Sequence, residues 1–562
     1  MLHPILDVSD FNIALTVLSL YILLFGYISL QIKQRWYLGE ALLAFLVGIS
    51  FGQFGAKFVN VSEWVHGEED EKSEITQNVM RLVIGIQLVK VGYQLPKKYI
   101  KQRFLEMTLC LFPLMAIGWL ITSACILLMI PKLSYLTAMI IGSCVTCTDP
   151  ILSQAIAKGP FADKYVRRPL REFISSEAGG NDGFGFTFLL LAVALLRYAK
   201  TPAITASLDE FDLARGVPDI LGAADTGRFG GGAGKALKHW FVEGVLYMIV
   251  LGAAYGIVVG FIARKLTTMT LKRRWIENES LSLVSMAIGM LVVGSCGCFG
   301  SDETLACFVA GCVLNWDGIY HTEMETRHDT FNLTVETFLN FGTFMYLGAA
   351  MPWDQFHMPD ETGITAPRLF GLGFLVLIFR RIPGILLGYR FMPSVCSDWK
   401  EALFMGYFGP IGIGAISYVE YTRRLFPEPG ESDTEINHLT AAMTPVVYWL
   451  VLFSILVHGL SVPVLNAFYQ ICNVPCICDH PVEVMLLSEH EPLPNNSTAN
   501  RKRHSVFINN RFSRPPDDDT TQTEDEGPIL RRSEDTTHTD TRPSTRQSTQ
   551  VARQTVDIRN IV

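Results

Sequence analysis

The run Ser175-Ser176-Glu177-Ala178-Gly179-Gly180-Asn181-Asp182 sets polar and acidic side chains at the mouth of a stretch, Gly183 to Leu196, that carries no charge. A second acid, Asp149 in Thr148-Asp149-Pro150, closes another uncharged run that begins at Leu133. Carboxylates at membrane depth are costly and mark functional sites by default. Glu177 and Asn181 are four apart and share a helix face, with Asp182 about 100° further round. Gly179, Gly180, Gly183 and Gly185 allow another helix to come close. Two acids on neighbouring apolar segments, both among helix-breaking residues, predict an ion or proton pathway through a bilayer. On this basis the chain reads as a carrier rather than an enzyme.

The composition points the same way. Of 562 residues, 49% are hydrophobic and 18% charged, with a mean hydropathy of +0.28. Phe11–Ile32, Met107–Pro131, Gly244–Ala263 and Leu281–Ser301 have no charged residue, and each is long enough to cross a hydrocarbon core of about 30 Å as a helix. With the shorter apolar runs, about 13 spanning helices are predicted, an all-α polytopic membrane protein. Basic residues follow the odd-numbered segments: Lys33 and Arg35, Lys97 to Arg103, Lys164 to Arg171, and Lys265 to Arg274. Segments 68–74 and 354–361 are acidic. The bias places the N-terminus outside and the C-terminal tail in the cytoplasm; segment 317–328 fits it poorly.

Residues 1–470 form one transmembrane domain. Residues 471–562 lose hydrophobic periodicity and read as a cytoplasmic, largely disordered regulatory tail. In that tail Arg501-Lys502-Arg503-His504-Ser505 and Arg531-Arg532-Ser533 suit a kinase or an anionic lipid surface. Gly230-Gly231-Gly232-Ala233-Gly234-Lys235-Ala236 imitates a phosphate loop, but Phe229 stands at the first glycine and Ala236 at the Ser/Thr position. The chain thus offers no nucleotide site, and an ATP-driven pump is disfavoured. Cys144 and Cys147 lie inside an apolar run without a partner pair or histidine, which suits packing rather than zinc. No cofactor is expected.

Pro150 forces a break after Thr148, and broken helices survive in membranes where protein or a water-filled cavity satisfies the freed backbone. Asp149 there either caps a helix start or balances the positive ends of half-helices, and Thr148 can turn its carbonyl or hydroxyl to a cation. Asp182, deep in its segment, can hold a proton or a monovalent cation but resists being empty. Arg380-Arg381 interrupts Leu369–Tyr389 near its middle. One arginine can snorkel; the other needs a partner, and Glu177 is the candidate, joined to Arg381 or alternatively Arg380. Asp302-Glu303 opens another segment at the outer mouth, either as an acid-rich helix start or to gather cations. His458, in the last span, is a structural hydrogen-bonding group or a proton relay.

Cys147-Thr148-Asp149-Pro150-Ile151-Leu152, Arg168-Pro169-Leu170-Arg171 and Ser176-Glu177-Ala178-Gly179-Gly180-Asn181-Asp182 closely resemble the fungal plasma-membrane sodium/proton antiporter family. Arg81 to Leu88 and Phe453 to Ser461 resemble it too, so the likeness covers residues 10–470. It implies two inverted six-helix repeats with crossed broken helices, a core domain moving against a dimerisation domain, and a homodimer. It also implies export of Na+, with Li+ and K+ as further candidates, in exchange for H+ by alternating access, serving salt tolerance and pH homeostasis. Asp182 would carry ion and proton, Asp149 would sit at the crossing, Asn181 would steady the site and Glu177 would pair with an arginine like Arg381. The Asn-Asp pair resembles the electroneutral branch. Related exchangers have a coordinating serine where this chain has Ala178, which passes that role to Ser175, Ser176 or Thr148. The implied partners are the bilayer, monovalent cations, protons and a second copy, with no nucleic acid. The rivals are another proton-coupled solute carrier and a non-transporting sensor that signals through its tail.

Overall fold

The computed structural model describes residues 10–59, 61, 69–199, 227–326, 331–428 and 430–475, with three short strands beyond them. Between Asp10 and Ile471 the described chain is built from helices. Seven of them are long and apolar enough to cross a membrane: Asn12–Lys33, Phe104–Met129, Arg168–Arg197, Gly232–Arg273, Asn278–Phe299, Ala366–Phe391 and Thr434–Ile471. Glu40–Phe51, Tyr135–Cys144 and Glu303–Leu314 are shorter apolar helices.

Burial sorts these helices. In Arg168–Arg197 and Thr434–Ile471, 78% of the apolar window is inside the protein, against 17% in Asn12–Lys33 and Gly232–Arg273. The acid-bearing helix and the last helix are therefore central, and the other two turn most of their surface outward. A carboxylate on Arg168–Arg197 consequently sits among protein rather than lipid.

Small residues set the closest packing. A Cβ on Gly48 would come 2.1 Å from the Met345 carbonyl oxygen, and one on Gly348 2.2 Å from that of Phe45. Helix Glu40–Phe51 thus crosses Phe331–Ala349 backbone to backbone. Gly92 and Gly311 bring Glu69–Gln94 and Glu303–Leu314 together the same way, with 2.5 Å to Phe308 O and 2.2 Å to Val89 O. In bilayers such glycines let van der Waals contact and interhelical polar bonds replace the missing hydrophobic drive. Here Gln87 donates to Asn340 at 2.8 Å, Asn340 donates to Glu40 at 3.0 Å, and Lys90 pairs with Glu336.

Two segments are broken in mid-run. Tyr135–Cys144 gives way to a turn and resumes as Pro150–Ala157, while Trp399–Tyr407 unwinds and resumes as Ile413–Arg423. A third interruption falls at Arg380-Arg381, between Ala366–Phe379 and Ile382–Gly388. Past the last helix, Glu483–Leu486, Ser497–Asn500 and Ser505–Ile508 form an antiparallel sheet in the order first, third, second. Arg501 to His504 and Arg531-Arg532-Ser533 lie outside the described residues.

Candidate ion-binding site

The two broken segments meet at their breaks. The Asp149 amide donates to the Pro410 carbonyl at 2.9 Å. The Asp149 carboxylate accepts from Leu152 N at 2.8 Å through Oδ1 and from Ile413 N at 2.8 Å through Oδ2. One carboxylate therefore caps the starts of both Pro150–Ala157 and Ile413–Arg423, where unpaired N–H groups concentrate positive charge. Pro150, at the first helical position, gives up no hydrogen bond there.

Arg380 is the counterpart at the other two ends. It is 6% exposed, so it does not snorkel to an interface. Its Nη1 donates to Val145 O at 2.7 Å and Cys147 O at 3.1 Å, and its Nη2 to Gly409 O. These carbonyls follow Tyr135–Cys144 and Trp399–Tyr407, where helix ends are negative. Arg380 is thus occupied with backbone carbonyls; the guanidinium that meets Glu177 is that of Arg381. Arg381 Nη1 and Nη2 donate to Glu177 Oε1 and Oε2, each at 2.8 Å, a bidentate fork.

Asn181 clasps the break. Its Oδ1 accepts from Thr148 N at 3.1 Å, and its Nδ2 donates to Thr148 Oγ1 at 2.7 Å. This leaves the Thr148 hydroxyl hydrogen and carbonyl unspent by Asn181. Asp182 is 2% exposed. Neither of its carboxylate oxygens meets a nitrogen or oxygen donor among the described residues, and the Cys147 thiol lies beside it. Its own carbonyl accepts from the Tyr418 hydroxyl. An ideal Cβ at Gly414 would lie 2.7 Å from Asp182 Oδ1, so the carboxylate rests directly on the first turn of Ile413–Arg423. A buried carboxylate with only a weak thiol donor beside it is poorly stabilised as a bare anion, which favours a proton or a cation there.

The remaining candidates separate. Ser175 is seven residues before Asp182, on the same face and about 10 Å along the helix, and its hydroxyl is buried without a partner among the described residues. Ser176 turns away and donates to Met107 Sδ at 3.4 Å. Asp302 caps Glu303–Leu314, its Oδ1 accepting from Leu305 N at 3.0 Å and Thr304 Oγ1 at 2.5 Å, while Oδ2 is buried without a partner. Glu303 accepts from Arg81 Nε at 2.5 Å and so ties two helices together. His458 stands behind the second break, its ring against the Tyr407 carbonyl.

Three residues escaped the sequence reading: Gly412, which admits the Asp149 carboxylate, Tyr418, and Ser454 behind the break. Gly409-Pro410-Ile411-Gly412 was a visible signal, two glycines and a proline inside the uncharged run Ala402–Val419. Nothing local marks Tyr418 or Ser454. Around Asp182 stand the Cys147 thiol, the Tyr418 hydroxyl and the turn at Gly414, and Asn181 next to it holds Thr148; the oxygens of Asp182 and Thr148 are of the kind that suits a hard cation. Among the described residues no three His, Cys, Asp or Glu side chains gather as a resident metal set.

The family model for the transmembrane part of sodium/hydrogen exchangers matches residues 20–467. The chain is a member of the sodium/hydrogen exchanger family. It is similar to a probable Na+/H+ antiporter of Schizosaccharomyces pombe, 32% identical over 467 residues, 81% of this chain and 56% of that one. It is also similar to an Na+/H+ antiporter of Saccharomyces cerevisiae, 29% identical over 473 residues, covering 82% and 44%. The chain thus spans about half the length of these curated relatives. Among solved structures, a sodium proton antiporter of Methanocaldococcus jannaschii superposes with a TM-score of 0.51 at 15% identity, covering 80% of this chain and all of that one. At that identity the likeness is one of fold.

Proposed function

We propose that this exchanger moves Na+, with Li+ and K+ as competing substrates, against H+ by alternating access in a fungal plasma membrane. The observation that carries the reading is the Asp182 carboxylate, buried without a nitrogen or oxygen donor among the described residues, beside a crossing whose helix-end charges are met by Asp149 and Arg380. With the site facing the cytoplasm, deprotonated Asp182 takes a cation, and Thr148 and nearby carbonyls complete its oxygen shell. The core then shifts, the ion leaves outside, and Asp182 returns carrying a proton. A neutral, loaded site crosses more easily than a bare charge, and this enforces exchange. Each pH unit supplies about 1.4 kcal/mol per proton, enough for about a tenfold cation gradient at one-to-one coupling.

The same reading has the protein as a homodimer of 13-span subunits, N-terminus outside and tail inside, with two inverted six-helix repeats. What supports the repeats is that each half carries one segment broken in mid-run, Tyr135–Cys144 with Pro150–Ala157 and Trp399–Tyr407 with Ile413–Arg423, and that the two meet at their breaks. Salt tolerance and cytosolic pH homeostasis are its physiological corollaries.

The test uses purified protein in liposomes with an imposed pH gradient. Sodium, lithium and potassium are added separately and lumenal pH is followed, with Asp182→Asn beside the wild type. Cation-driven proton movement in the wild type alone supports exchange through Asp182, and the cation ranking gives the substrate. No response from correctly folded wild type overturns the reading.

A further inference from the structure

The unwound stretch between Trp399–Tyr407 and Ile413–Arg423 must place its freed backbone groups somewhere, because buried N–H and C=O groups are paired. Arg380 takes Gly409 O, the Asp149 amide takes Pro410 O, and the Asp149 carboxylate takes Ile413 N. Two further groups of the stretch turn to the last helix, Thr434–Ile471: the Ile411 amide, and the Tyr407 carbonyl, which also accepts from the Gly409 amide at 2.9 Å. The Ile411 amide donates to Ser454 Oγ at 2.7 Å, and the Tyr407 carbonyl lies 3.0 Å from His458 Nε2. The two side chains also meet each other, Ser454 Oγ to His458 Nδ1, at 3.1 Å.

We propose that Ser454 and His458 are positioning residues that clamp this break in register with Asp149 and Asp182, His458 acting as a neutral ring protonated on Nε2. The direction of each bond follows from which groups can donate. A carbonyl only accepts, so the proton facing Tyr407 belongs to Nε2. Nδ1 faces two groups, the Ser454 carbonyl at 2.9 Å and the Ser454 hydroxyl at 3.1 Å. The carbonyl already belongs to the ladder of the last helix, whereas the hydroxyl, which accepts from Ile411, has a hydrogen to give. A ring proton on Nε2 therefore completes two bonds, to the Tyr407 carbonyl and from the Ser454 hydroxyl, and one on Nδ1 completes only one. The chain Ile411, Ser454, His458, Tyr407 is then complete with one ring proton. A second ring proton would turn the Ser454 hydroxyl away. It would also add a positive charge to a cavity that Arg380 and Arg381 already line. Tyr407 is held a second time, its hydroxyl 2.6 Å from Ser461 Oγ on the same helix.

This assigns His458 a fixed structural proton rather than a travelling one. Its bearing on transport rests on the exchange reading given above. The clamp sets where Ile413 N and Gly414 lie, and those two positions abut the Asp149 and Asp182 carboxylates. Loosening it should therefore alter how tightly the cation is held, more than how well the protein folds.

The experiment measures sodium-driven proton movement by the full chain in liposomes, against sodium concentration and pH, for wild type, His458→Leu, His458→Gln and Ser454→Ala. The glutamine amide replaces the Nε2 donor. His458→Gln should stay within about threefold of the wild-type half-saturating sodium concentration, with an unchanged pH profile. Ser454→Ala leaves the Ile411 amide unpaired, and His458→Leu takes the acceptor from the Ser454 hydroxyl and the ring donor from the Tyr407 carbonyl; each should raise it about tenfold. Nitrogen NMR of histidine-labelled protein, with His458→Gln to assign the signal, should show Nε2 protonated and Nδ1 bare throughout the transport range. The proposal is overturned if His458→Gln is as impaired as His458→Leu, if either shifts the pH profile, or if a doubly protonated ring appears. It is also overturned if half-saturation is unchanged in all three variants. Wild type inert to every alkali cation sinks the exchange reading, and with it the transport role of the clamp; the nitrogen spectrum still decides the tautomer.

Discussion

Asp149 and Ile413, 264 residues apart in the chain, meet across the crossing, the Ile413 amide donating to the Asp149 carboxylate at 2.8 Å. Since the other oxygen serves Leu152, Asp149→Asn keeps one cap and turns an amide nitrogen toward the second N–H. It also removes the charge facing two helix starts. The combined cost is about 1–2 kcal/mol, which corresponds to about a tenfold loss when it falls on the transport barrier. Cation-driven proton flux and thermal unfolding should both register it.

The Glu177–Arg381 fork invites a double-mutant cycle. Both side chains are nearly buried, at 7% and 13% exposure. Removing one partner leaves a buried charge uncompensated, at a cost of about 3–5 kcal/mol. Glu177→Gln and Arg381→Gln should each lower the melting temperature strongly, whereas the double variant should recover part of the loss. If the losses simply add, the pair is not a coupled unit.

How much of this arrangement could be read from the sequence follows from what leaves a trace there. Asp149, Asp182 and the Glu177/Arg381 charges were legible because each interrupts or bounds a run with no other charge. The work of Arg380 was not, since its acceptors are carbonyls, and backbone acceptors have no residue signature. Spacing alone puts Ser175, seven residues before Asp182, on the same face and Ser176 about 100° away; the Met107 sulfur that Ser176 meets is known only from the fold. The second break was signalled by Gly409-Pro410 and Gly412, yet its partner, Asp149, lies in another segment, and pairing two breaks needs the fold.

A pH prediction falls on the extramembrane end of the last helix. Arg228 donates to Asp433 at 2.5 Å and also to Glu435. Burial pushes Asp433 up, but the bonds from Arg228 and the Ile436 and Glu435 amides outweigh it and hold the carboxyl below its ordinary 3.8. A depressed carboxylate contributes stability that is complete above the ordinary value and lost as pH falls through the folded one. The wild-type melting temperature should therefore decline as pH drops below 3.8, and Asp433→Asn should flatten that limb while lowering the neutral plateau. A limb of equal steepness in the variant would assign the acid sensitivity to another group.

Deletion of residues after about 480 separates carrier from sensor. The candidate residues, from Val145 to His458, lie before Ile471, where the last helix ends. The truncated protein should keep cation-driven proton flux in liposomes. Loss of flux from a folded truncation would give the tail a part in transport itself.

Gly414 offers the sharpest separation of stability from function. Within Ile413–Arg423, alanine is intrinsically favoured over glycine by about 1 kcal/mol, so Gly414→Ala taken alone should hold or raise the melting temperature. Yet the added methyl would lie 2.7 Å from Asp182 Oδ1, closer than a carbon and an oxygen tolerate, and the carboxylate must swing off the helix start. A cation that depends on that oxygen then loses its place. Half-saturating sodium should rise about tenfold, an affinity loss of about 1.4 kcal/mol, while the fold is no weaker. Opposite movements in the two measurements would tie cation affinity to the Asp182 carboxylate; a parallel fall in both would show only that the helix start had been disrupted.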